Sequence, residues 1–307
     1  MKTLILGDFH LDHSCGNCHT IDFFMKYRNQ MIQDAENVDF VVLLGDYFRN
    51  HDAHNSYREV LSQFISEINK PIIALLGQHD KDSIGNVLQA IEPLCKNLKI
   101  VKDTYEYNNC SFISHDRSDE RLKEKILKCK GKFVFGHFNI NGYDTGSKQM
   151  NSSLNIEVEK KLYLGDIHKH QINKNITYVG SIAPTNIGEV DYDFQYLMLD
   201  LESGKEKWIK LDYKIKTLKL TEKNIDDIDE GSRVIINITD MKQKSEWLAK
   251  LQDKKYLSLE FILTTDKIKA RKIDFNMNFS AVISEYLKMM RKESLFEKIK
   301  SYIGLCK

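Results

Sequence analysis

Short apolar runs recur along the first two-thirds of the chain, and most of them end at a glycine. They are rich in Val, Ile, Leu and Phe, which is typical of buried strands. Between them, apolar residues return at the spacing of one helix face. This alternation predicts an α/β sheet whose faces are covered by helices. The predicted strands are residues 2–6, 38–44, 72–76, 99–101, 110–113, 132–135 and 162–164, and the predicted helices are residues 21–36, 57–69, 84–95 and 118–130.

The pattern changes after residue 190. Two further strands, at 192–201 and 206–212, are expected to complete the first domain. A strand, a helix and a strand then follow, and the last thirty residues carry two amphipathic helical stripes that either pack on their own domain or await a partner. We therefore predict three parts, with boundaries at residues 1–213, 214–275 and 276–307.

The charge of the chain is unevenly distributed, although its net value is only +1. Residues 1–200 carry 22 Lys and Arg against 27 Asp and Glu, whereas residues 201–307 carry 23 against 17. An acidic first part suits a cation site, and a basic second part suits an anionic polymer. Solvated lysine-rich surfaces account for the same counts equally well.

The cysteines and the N-terminus indicate a cytoplasmic protein. The six cysteines are scattered, as free thiols are, and no apolar stretch is long enough for a membrane span. The chain starts with a strand and shows no basic leader. Cys15 and Cys18 lie between His13 and His19, which resembles half a zinc site. We favour ordinary loop residues there, with a zinc knuckle as the alternative.

Polar residues with metal-binding side chains follow the glycine at five predicted strand ends. Each pair alone is common in turns, but five together predict a metal site on one edge of the sheet. Asp8 and His10 would point the same way if their backbone is extended. The residues concerned are Asp8, His10, Asp46, Gln78, His79, His137, Asp166 and His168.

In order, these motifs resemble those of the calcineurin-like metallophosphoesterases. Residues 136–143 and 178–181 are most similar to the SbcD-type DNA nucleases, including their phage counterparts. The resemblance covers about residues 1–190. It implies three parts: a metallophosphoesterase sandwich of β-sheets flanked by helices, then a small α+β cap domain that binds DNA, and finally a pair of C-terminal helices. The motifs are Asp8-Phe9-His10, Gly45-Asp46, Gly77-Gln78-His79-Asp80, Gly136-His137 and Gly165-Asp166-Ile167-His168.

The resemblance implies a two-metal site in which the ions clamp a phosphate, activate water and stabilise the leaving oxygen. It places His79 as the general acid, with Asp80 supporting it. Mixed carboxylate and imidazole ligands favour Mn²⁺, with Mg²⁺ as the alternative. The implied ligands are Asp8, His10 and His168 for the first ion, Asp46 as the bridge, and Gln78, His137 and Asp166 for the second.

Three positions depart from the family pattern. Gln78 replaces an Asn and Asp166 replaces a His, and both fall on the second ion, so we expect the two changes to be linked. We expect this second site to persist with altered affinity, and a degraded site is the competing interpretation. Arg49 stands where these nucleases carry a further His, and either a phosphate contact or a surface position fits it.

The implied function is a two-metal DNA nuclease, acting as exonuclease or endonuclease on DNA ends or hairpins in recombination and repair. Its implied partners are DNA, an SbcC-type ATPase bound through the C-terminal helices, and a second copy of the chain. A phage-encoded protein would work in the host cytoplasm. The alternatives are a phosphatase or nucleotide phosphodiesterase with the same core, and a scaffold with reduced catalysis.

Overall fold

The computed structural model describes residues 1–12, 20–50, 53–81, 85–146, 154–189, 191–211, 216–228, 232–254 and 258–263. The chain divides into two compact units, residues 1–236 with 253–260, and residues 237–252 with 261–307. The strands are β1 (Lys2–Leu6), β2 (Phe40–Leu43), β3 (Ile72–Leu75), β4 (Leu98–Val101), β5 (Thr104–Tyr107), β6 (Cys110–Ile113), β7 (Phe133–His137), β8 (Lys161–Gly165), β9 (Gln171–Asn173), β10 (Ile176–Tyr178), β11 (Gln195–Asp200), β12 (Glu206–Lys210), β13 (Lys216–Lys219), β14 (Ser232–Ile238) and β15 (Ser258–Leu263). The α-helices of the described residues are α1 (Thr20–Ala35), α2 (Asn55–Glu67), α3 (Asp119–Lys128) and α4 (Met241–Lys250).

The first unit contains two six-stranded mixed sheets. The first has the order β12-β11-β1-β2-β3-β4, in which β1 to β4 run parallel and β11 runs antiparallel to β1. The second has the order β5-β6-β7-β8-β10-β9, with a parallel centre from β6 to β10. Antiparallel strands flank the parallel centre on both sides in the second sheet and on one side in the first. The carboxyl ends of the parallel strands, where sites are built in such sheets, lie at one edge of each sheet.

The sheets pack face to face and helices cover their outer faces. Side chains of both sheets, such as Val42 and Phe135, share one buried cluster between the sheets. On the outer face of the first sheet, Phe24 of α1 and Phe64 of α2 pack with ring centroids 5.1 Å apart. Leu122 of α3 belongs to the cluster that covers the second sheet. The predicted sandwich of β-sheets flanked by helices is confirmed.

Two parts of the local prediction are wrong. Over its described residues, 85–95, the predicted helix at 84–95 is a series of turns that ends in a short 3₁₀ turn at Glu92–Leu94, because Gly85 and Pro93 interrupt a helical run. Strands β5, β9, β10 and β13 were not predicted. Strand β5 forms a hairpin with β6 through Asn108 and Asn109, whose positive φ angles of 49° and 59° are those of a two-residue hairpin turn. The Asn-Asn pair is the sequence signal for that turn.

The strand–helix–strand pattern after residue 230 appears as predicted, in β14, α4 and β15. The side chain of Asp240 caps α4 by accepting a hydrogen bond from the amide of Gln243 at 3.0 Å. Strands β13, β14 and β15 form a third sheet. The two C-terminal helical stripes lie outside the described residues, and the boundaries at 213/214 and 275/276 remain predictions. None of the helices in the described ranges has the length and hydrophobicity to span a bilayer.

Candidate metal centre

The candidate ligands lie at the carboxyl ends of strands from both sheets. Asp8, Asp46 and Gln78 follow β1, β2 and β3 of the first sheet, whereas His137 ends β7 and Asp166 follows β8 of the second. The expectation of a single sheet edge is therefore wrong. Because the sheets share one core, these two edges meet, and the side chains of five segments converge.

Three of the converging residues have left-handed backbone. The φ angles are 44° at His10, 51° at Asp46 and 84° at Asp166. The extended backbone expected from Asp8 to His10 is therefore not present. Instead the carbonyl of Asp46 accepts hydrogen bonds from the amides of Phe9 and His10, at 3.1 and 2.9 Å. Non-glycine residues in this region cost about 1–3 kcal/mol each and concentrate at functional sites, where the surroundings hold them in place.

Two glycines let the loops after β2 and β3 approach each other. Gly45 has a φ of +110°, and a Cβ atom there would lie 2.7 Å from the amide nitrogen of Gly77. A Cβ atom on Gly77 would lie 2.0 Å from the carboxylate Oδ1 of Asp46. A larger residue at Gly77 would displace Asp46, and one at Gly45 would displace the Gly77 backbone or the His137 ring, so both glycines are part of the site's construction.

The buried side chain of Asp80 connects the loops that follow β2 and β3. Its buried carboxylate accepts hydrogen bonds from the backbone amides of Asp46 at 2.6 Å, Gly77 at 2.8 Å and Tyr47 at 3.0 Å. Burial, with the nearby charge of Asp46, raises the pKa of Asp80 to about 7 against the effect of these amides. Asp80 is thus placed to position the Asp46 carboxylate.

His137 directs a ring nitrogen into the cluster. Its Nδ1 lies 2.7 Å from the carbonyl oxygen of Leu44, which can only accept, so Nδ1 carries a proton and donates it. Its Nε2 is fully buried without a hydrogen-bond partner, 3.4 Å from Asp46 Oδ2 and 3.9 Å from Asp166 Oδ1. An imidazole fixed in this way presents a lone pair to a cation.

His168 is oriented by a buried carboxylate that the sequence analysis missed. Its Nδ1 lies 2.9 Å from Oε1 of Glu189 and 3.1 Å from Oγ1 of Thr185. Glu189 also accepts a hydrogen bond from the amide of Thr185 at 2.8 Å and one from Asn186 at 2.6 Å. His168 Nε2 therefore faces the site, 3.0 Å from Nε2 of His10. Glu189 lies in a short 3₁₀ turn, and no motif in the sequence singles it out.

The cluster concentrates negative charge in a buried space. Burial raises the pKa of Asp166 to about 6, and burial lowers the pKa of His10 to about 3. Burial by itself would raise the pKa of Asp46. The imidazoles of His137 and His10 have the larger, opposite effect and hold the pKa of this carboxyl group well below its usual range. Carboxylates crowded in this way are stabilised by a shared cation.

These distances define two ends of the site that meet at Asp46. The imidazole end comprises His10, His79 and His168, and the carboxylate end comprises Asp8, Asp166, His137 and Gln78. Donor atoms of His10, Asp46 and His79 lie within 4.8 Å of one another, and so do those of Asp8, Asp46 and His137. Asp46 is common to both sets, as a bridging ligand would be.

Residues 1–196 match the family model of the calcineurin-like phosphoesterases. The chain belongs to this family. Among solved structures, an archaeal phosphodiesterase is 17% identical with a TM-score of 0.40, over 69% of this chain and 100% of that one. The nuclease MPE of Pseudomonas putida is 10% identical with a TM-score of 0.33, over 67% of this chain and 87% of its own. Similarity at these levels says nothing further about the substrate. No curated protein matches the chain significantly.

The residues of this calcineurin-like phosphoesterase fit two divalent ions. The donor set combines buried carboxylates with imidazoles, and the unpaired Nε2 of His137 faces Asp46 and Asp166. Such a set suits a first-row divalent metal or Mg²⁺. The family and this cluster support a metal-dependent phosphoesterase with a candidate dinuclear site. Which donor holds which ion stays a prediction, since the compact sets place Asp8 with His137 rather than with His10.

The positions that depart from the family pattern have distinct surroundings. Gln78 is exposed, and its Nε2 donates a hydrogen bond to Oδ1 of Asp166 at 3.4 Å, so the two unusual residues are in contact. Arg49 is half-buried, and its contact with phosphate stays a prediction. Cys15 and Cys18 lie outside the described residues.

Proposed function

We propose that this phosphoesterase is a two-metal DNA nuclease of the SbcD type, with Mn²⁺ as its activating ion. The observation that carries the proposal is the placement of His79. Its side chain is 40% exposed, and its Nε2 lies 3.9 Å from the buried carboxylate of Asp46. A half-exposed imidazole beside buried metal donors can reach a substrate that lies over the site.

The loop after β3 anchors His79 for this role. The backbone amide of His79 donates a hydrogen bond to Asp46 Oδ1 at 3.0 Å, and its ring packs edge-on against that of His10, with centroids 5.3 Å apart. The side chain is thereby held at the rim while the backbone is tied to the proposed bridging ligand. The opposing interpretation is that His79 is itself a ligand, because its ring nitrogen is near enough to those of His10 and Asp46.

In the proposed mechanism two bound ions would supply the charge that neutralises the phosphodiester and would lower the pKa of the attacking water. The residues that would hold them are Asp8, His10, Asp46, Gln78, His137, Asp166 and His168, with Asp46 common to both ends. His79 donates its proton to the oxygen that leaves when the P–O bond breaks, and water supplies the hydroxyl gained by the phosphorus. The proton transfer is worth about 10²–10⁴-fold in rate.

The rest of the chain supports DNA over a small substrate. The net charge of residues 201–307 is +6, from 23 Lys and Arg against 17 Asp and Glu, and a positive charge of this kind favours binding to a phosphate backbone. On β12, Lys207 and Lys210 are exposed. A phosphatase or nucleotide phosphodiesterase has no need for the added sheet β13–β15. We also propose that the C-terminal stripes bind an SbcC-type ATPase, that the chain forms a homodimer and that it works in the cytoplasm.

The first experiment measures nucleotide release from linear duplex DNA with Mn²⁺, for wild type and His79→Ala, each alone and with the candidate ATPase. We expect release by wild type and a loss of about 10²–10⁴-fold in the variant, because the leaving oxygen then lacks its proton donor. Lys128→Ala, which changes an exposed residue of α3 paired with Glu124, is the control and should release nucleotides normally.

Two further measurements separate the acid from a ligand. A phosphodiester with a p-nitrophenolate leaving group needs no proton, so His79→Ala should hydrolyse it nearly as fast as wild type. Calorimetry should show unchanged Mn²⁺ binding in that variant, whereas a ligand would weaken it. If neither protein releases nucleotides while metal is bound and the ATPase is present, the nuclease proposal fails and a scaffold takes its place. Hydrolysis of nucleotides without binding of long DNA would instead favour a small-substrate enzyme.

A further inference from the structure

The two ends of the metal centre differ in donor chemistry. Around Asp46, the imidazole end offers the ring nitrogen of His10, whose Nε2 lies 3.6 Å from Asp46 Oδ2. His168 Nε2 lies 3.0 Å from His10 Nε2 and adds a second nitrogen, while His79 is kept as the proposed acid. Nitrogen ligands favour borderline first-row metals over Mg²⁺.

The carboxylate end is rich in oxygen. The imidazole of His137 lies between carboxylates, 3.4 Å from Asp8 Oδ1 at Nδ1, and 3.4 Å from Asp46 Oδ2 and 3.9 Å from Asp166 Oδ1 at Nε2. The Gln78 amide adds a further oxygen. One nitrogen among several carboxylate and amide oxygens suits hard ions such as Mg²⁺. The fully buried, unpaired Nε2 of His137 shows that this cluster is aimed at a ligand rather than at solvent.

We propose that Gln78 and Asp166 act as one unit that makes the carboxylate end a Mg²⁺-accepting position, so that the centre takes two different ions, with Mn²⁺ at the imidazole end. The proposal deepens the proposed function, since it rests on the same two-metal centre. It differs from a pair of equivalent Mn²⁺ ions in assigning each end its own metal.

The geometry indicates why the two residues act together. Asp166 is held by its own backbone, whose amide lies 3.3 Å from both carboxylate oxygens of Asp8, and by its left-handed φ of 84°. Its side chain is short, and Gln78 reaches across from β3 to donate a hydrogen bond to Oδ1 at 3.4 Å. The amide therefore orients the carboxylate, and its Oε1 remains as an additional oxygen donor.

Size complementarity supports the same conclusion. An aspartate carries its donor atom one bond nearer to Cβ than the Nε2 of a histidine, and glutamine extends one methylene beyond asparagine. The longer side chain thus faces the shorter one across the site. Gln78→Asn alone would leave a gap between the two side chains, and Asp166→His alone would make them overlap. Both substitutions together would restore the fit and add a nitrogen donor.

The test is calorimetric titration of the metal-free full chain with Mg²⁺ and with Mn²⁺. The variants are Gln78→Asn, Asp166→His and both together. We expect wild type to bind one Mg²⁺ per chain beside one Mn²⁺. Asp166→His should raise the preference for Mn²⁺ over Mg²⁺ at that position by about 10–100-fold, the range in which changes around a metal ligand act. The change in Mn²⁺ affinity of the double variant should differ from the sum of the two single changes. The double variant should bind Mn²⁺ more tightly than Asp166→His does.

Electron paramagnetic resonance gives a readout independent of activity. With excess Mg²⁺ and one Mn²⁺ per chain, wild type should show an uncoupled Mn²⁺ signal with nitrogen couplings. With two Mn²⁺ per chain and the same excess of Mg²⁺, the Asp166→His/Gln78→Asn chain should bind Mn²⁺ at both positions and show a coupled pair. Asp226→His, which changes a carboxylate that is 91% exposed and paired with Lys254, is the matched control and should behave as wild type.

Each outcome decides the proposal. An Asp166→His chain that folds, by circular dichroism, and keeps the wild-type metal preference would overturn it, as would strictly additive variants. If Asp166→His does not fold, Asp166→Asn takes its place and should lose Mg²⁺ while keeping one Mn²⁺. A chain that binds two different ions but does not cleave DNA would contradict the proposed nuclease and leave this inference standing. Cleavage of DNA by a chain that binds two equivalent Mn²⁺ ions would support the proposed nuclease and overturn this inference.

Discussion

The two ends of the metal centre are braced to different degrees. At the imidazole end, Nδ1 of His168 is held by Glu189, a residue only 8% exposed that is itself tied to Thr185 and Asn186. At the carboxylate end, the exposed Gln78 touches Asp166 through one long hydrogen bond of 3.4 Å. The difference indicates that a buried supporting carboxylate preorganises the imidazole end, whereas Gln78, the one exposed donor of the otherwise buried carboxylate end, can change with less disturbance of the fold.

The largest effect is expected from Asp46→Asn, because Asp46 is the donor that both ends share. DNA hydrolysis should fall by roughly 10³-fold or more, since metal ions supply several kcal/mol of transition-state stabilisation. Both binding events should weaken in calorimetry. Asparagine keeps the shape and can still accept the amide hydrogen bond of His79, so thermal unfolding of the metal-free chain provides the control. Loss of only one ion would show that Asp46 belongs to one end.

An intermediate effect is expected from Glu189→Gln, which removes the charge that orients His168. Affinity at the imidazole end should fall by about 10–100-fold, while Mg²⁺ binding at the carboxylate end stays near that of wild type. Calorimetry with Mn²⁺ and Mg²⁺ measures both. Glu67→Gln alters a half-exposed glutamate that pairs with Arg28 and should change neither. Equal weakening of the two ends in Glu189→Gln would remove the contrast between them.

The smallest effect is the pH dependence at the carboxylate end. Burial raises the pKa of Asp166 to about 6 in the metal-free chain, against the opposing effect of His137. Below pH 6 a cation must displace the proton of this carboxyl group, so affinity should decrease as the pH falls, by about tenfold between pH 7 and pH 5. Titrations of wild type and Asp166→Asn at both pH values measure it. In Asp166→Asn the pH dependence of cation affinity should lose the contribution of this carboxyl group and keep the contribution of the imidazoles. If the pH dependence of the variant equals that of wild type, Asp166 is not its source.

Most of the core could be predicted because its signals are local. Strands such as β2 and β3 are continuous apolar runs, and α1 and α2 show an apolar face, although that of α1 is interrupted at Arg28. Strand β5 was missed because its residues alternate between half-buried and exposed positions and it depends on pairing with β6. The segment at 84–95 was misassigned because its apolar spacing is helical while Gly85 and Pro93 oppose a helix.

The candidate site was only partly predictable for a similar reason. Residues directly after a strand and a glycine stand out in the sequence, so Asp8, Asp46 and His137 could be selected. Glu189 could not, because it reaches His168 from a turn 21 residues further along and belongs to no motif. The left-handed backbone at His10 was also missed, since the hydrogen bonds from this loop to the Asp46 carbonyl join distant segments.

The sequence by itself determined the layered α/β class and the strand ends that carry polar ligands. Periodicity and turn residues act over a few neighbours, and these features depend on nothing else. The resemblance to the phosphoesterase family singled out Gln78 and Asp166 as departures from its pattern. Only the tertiary structure decided that the ligands come from two sheets, that Asp46 is shared and that Gln78 touches Asp166. Those facts follow from how two sheets pack through one common core, and such packing is set by contacts between residues far apart in the chain.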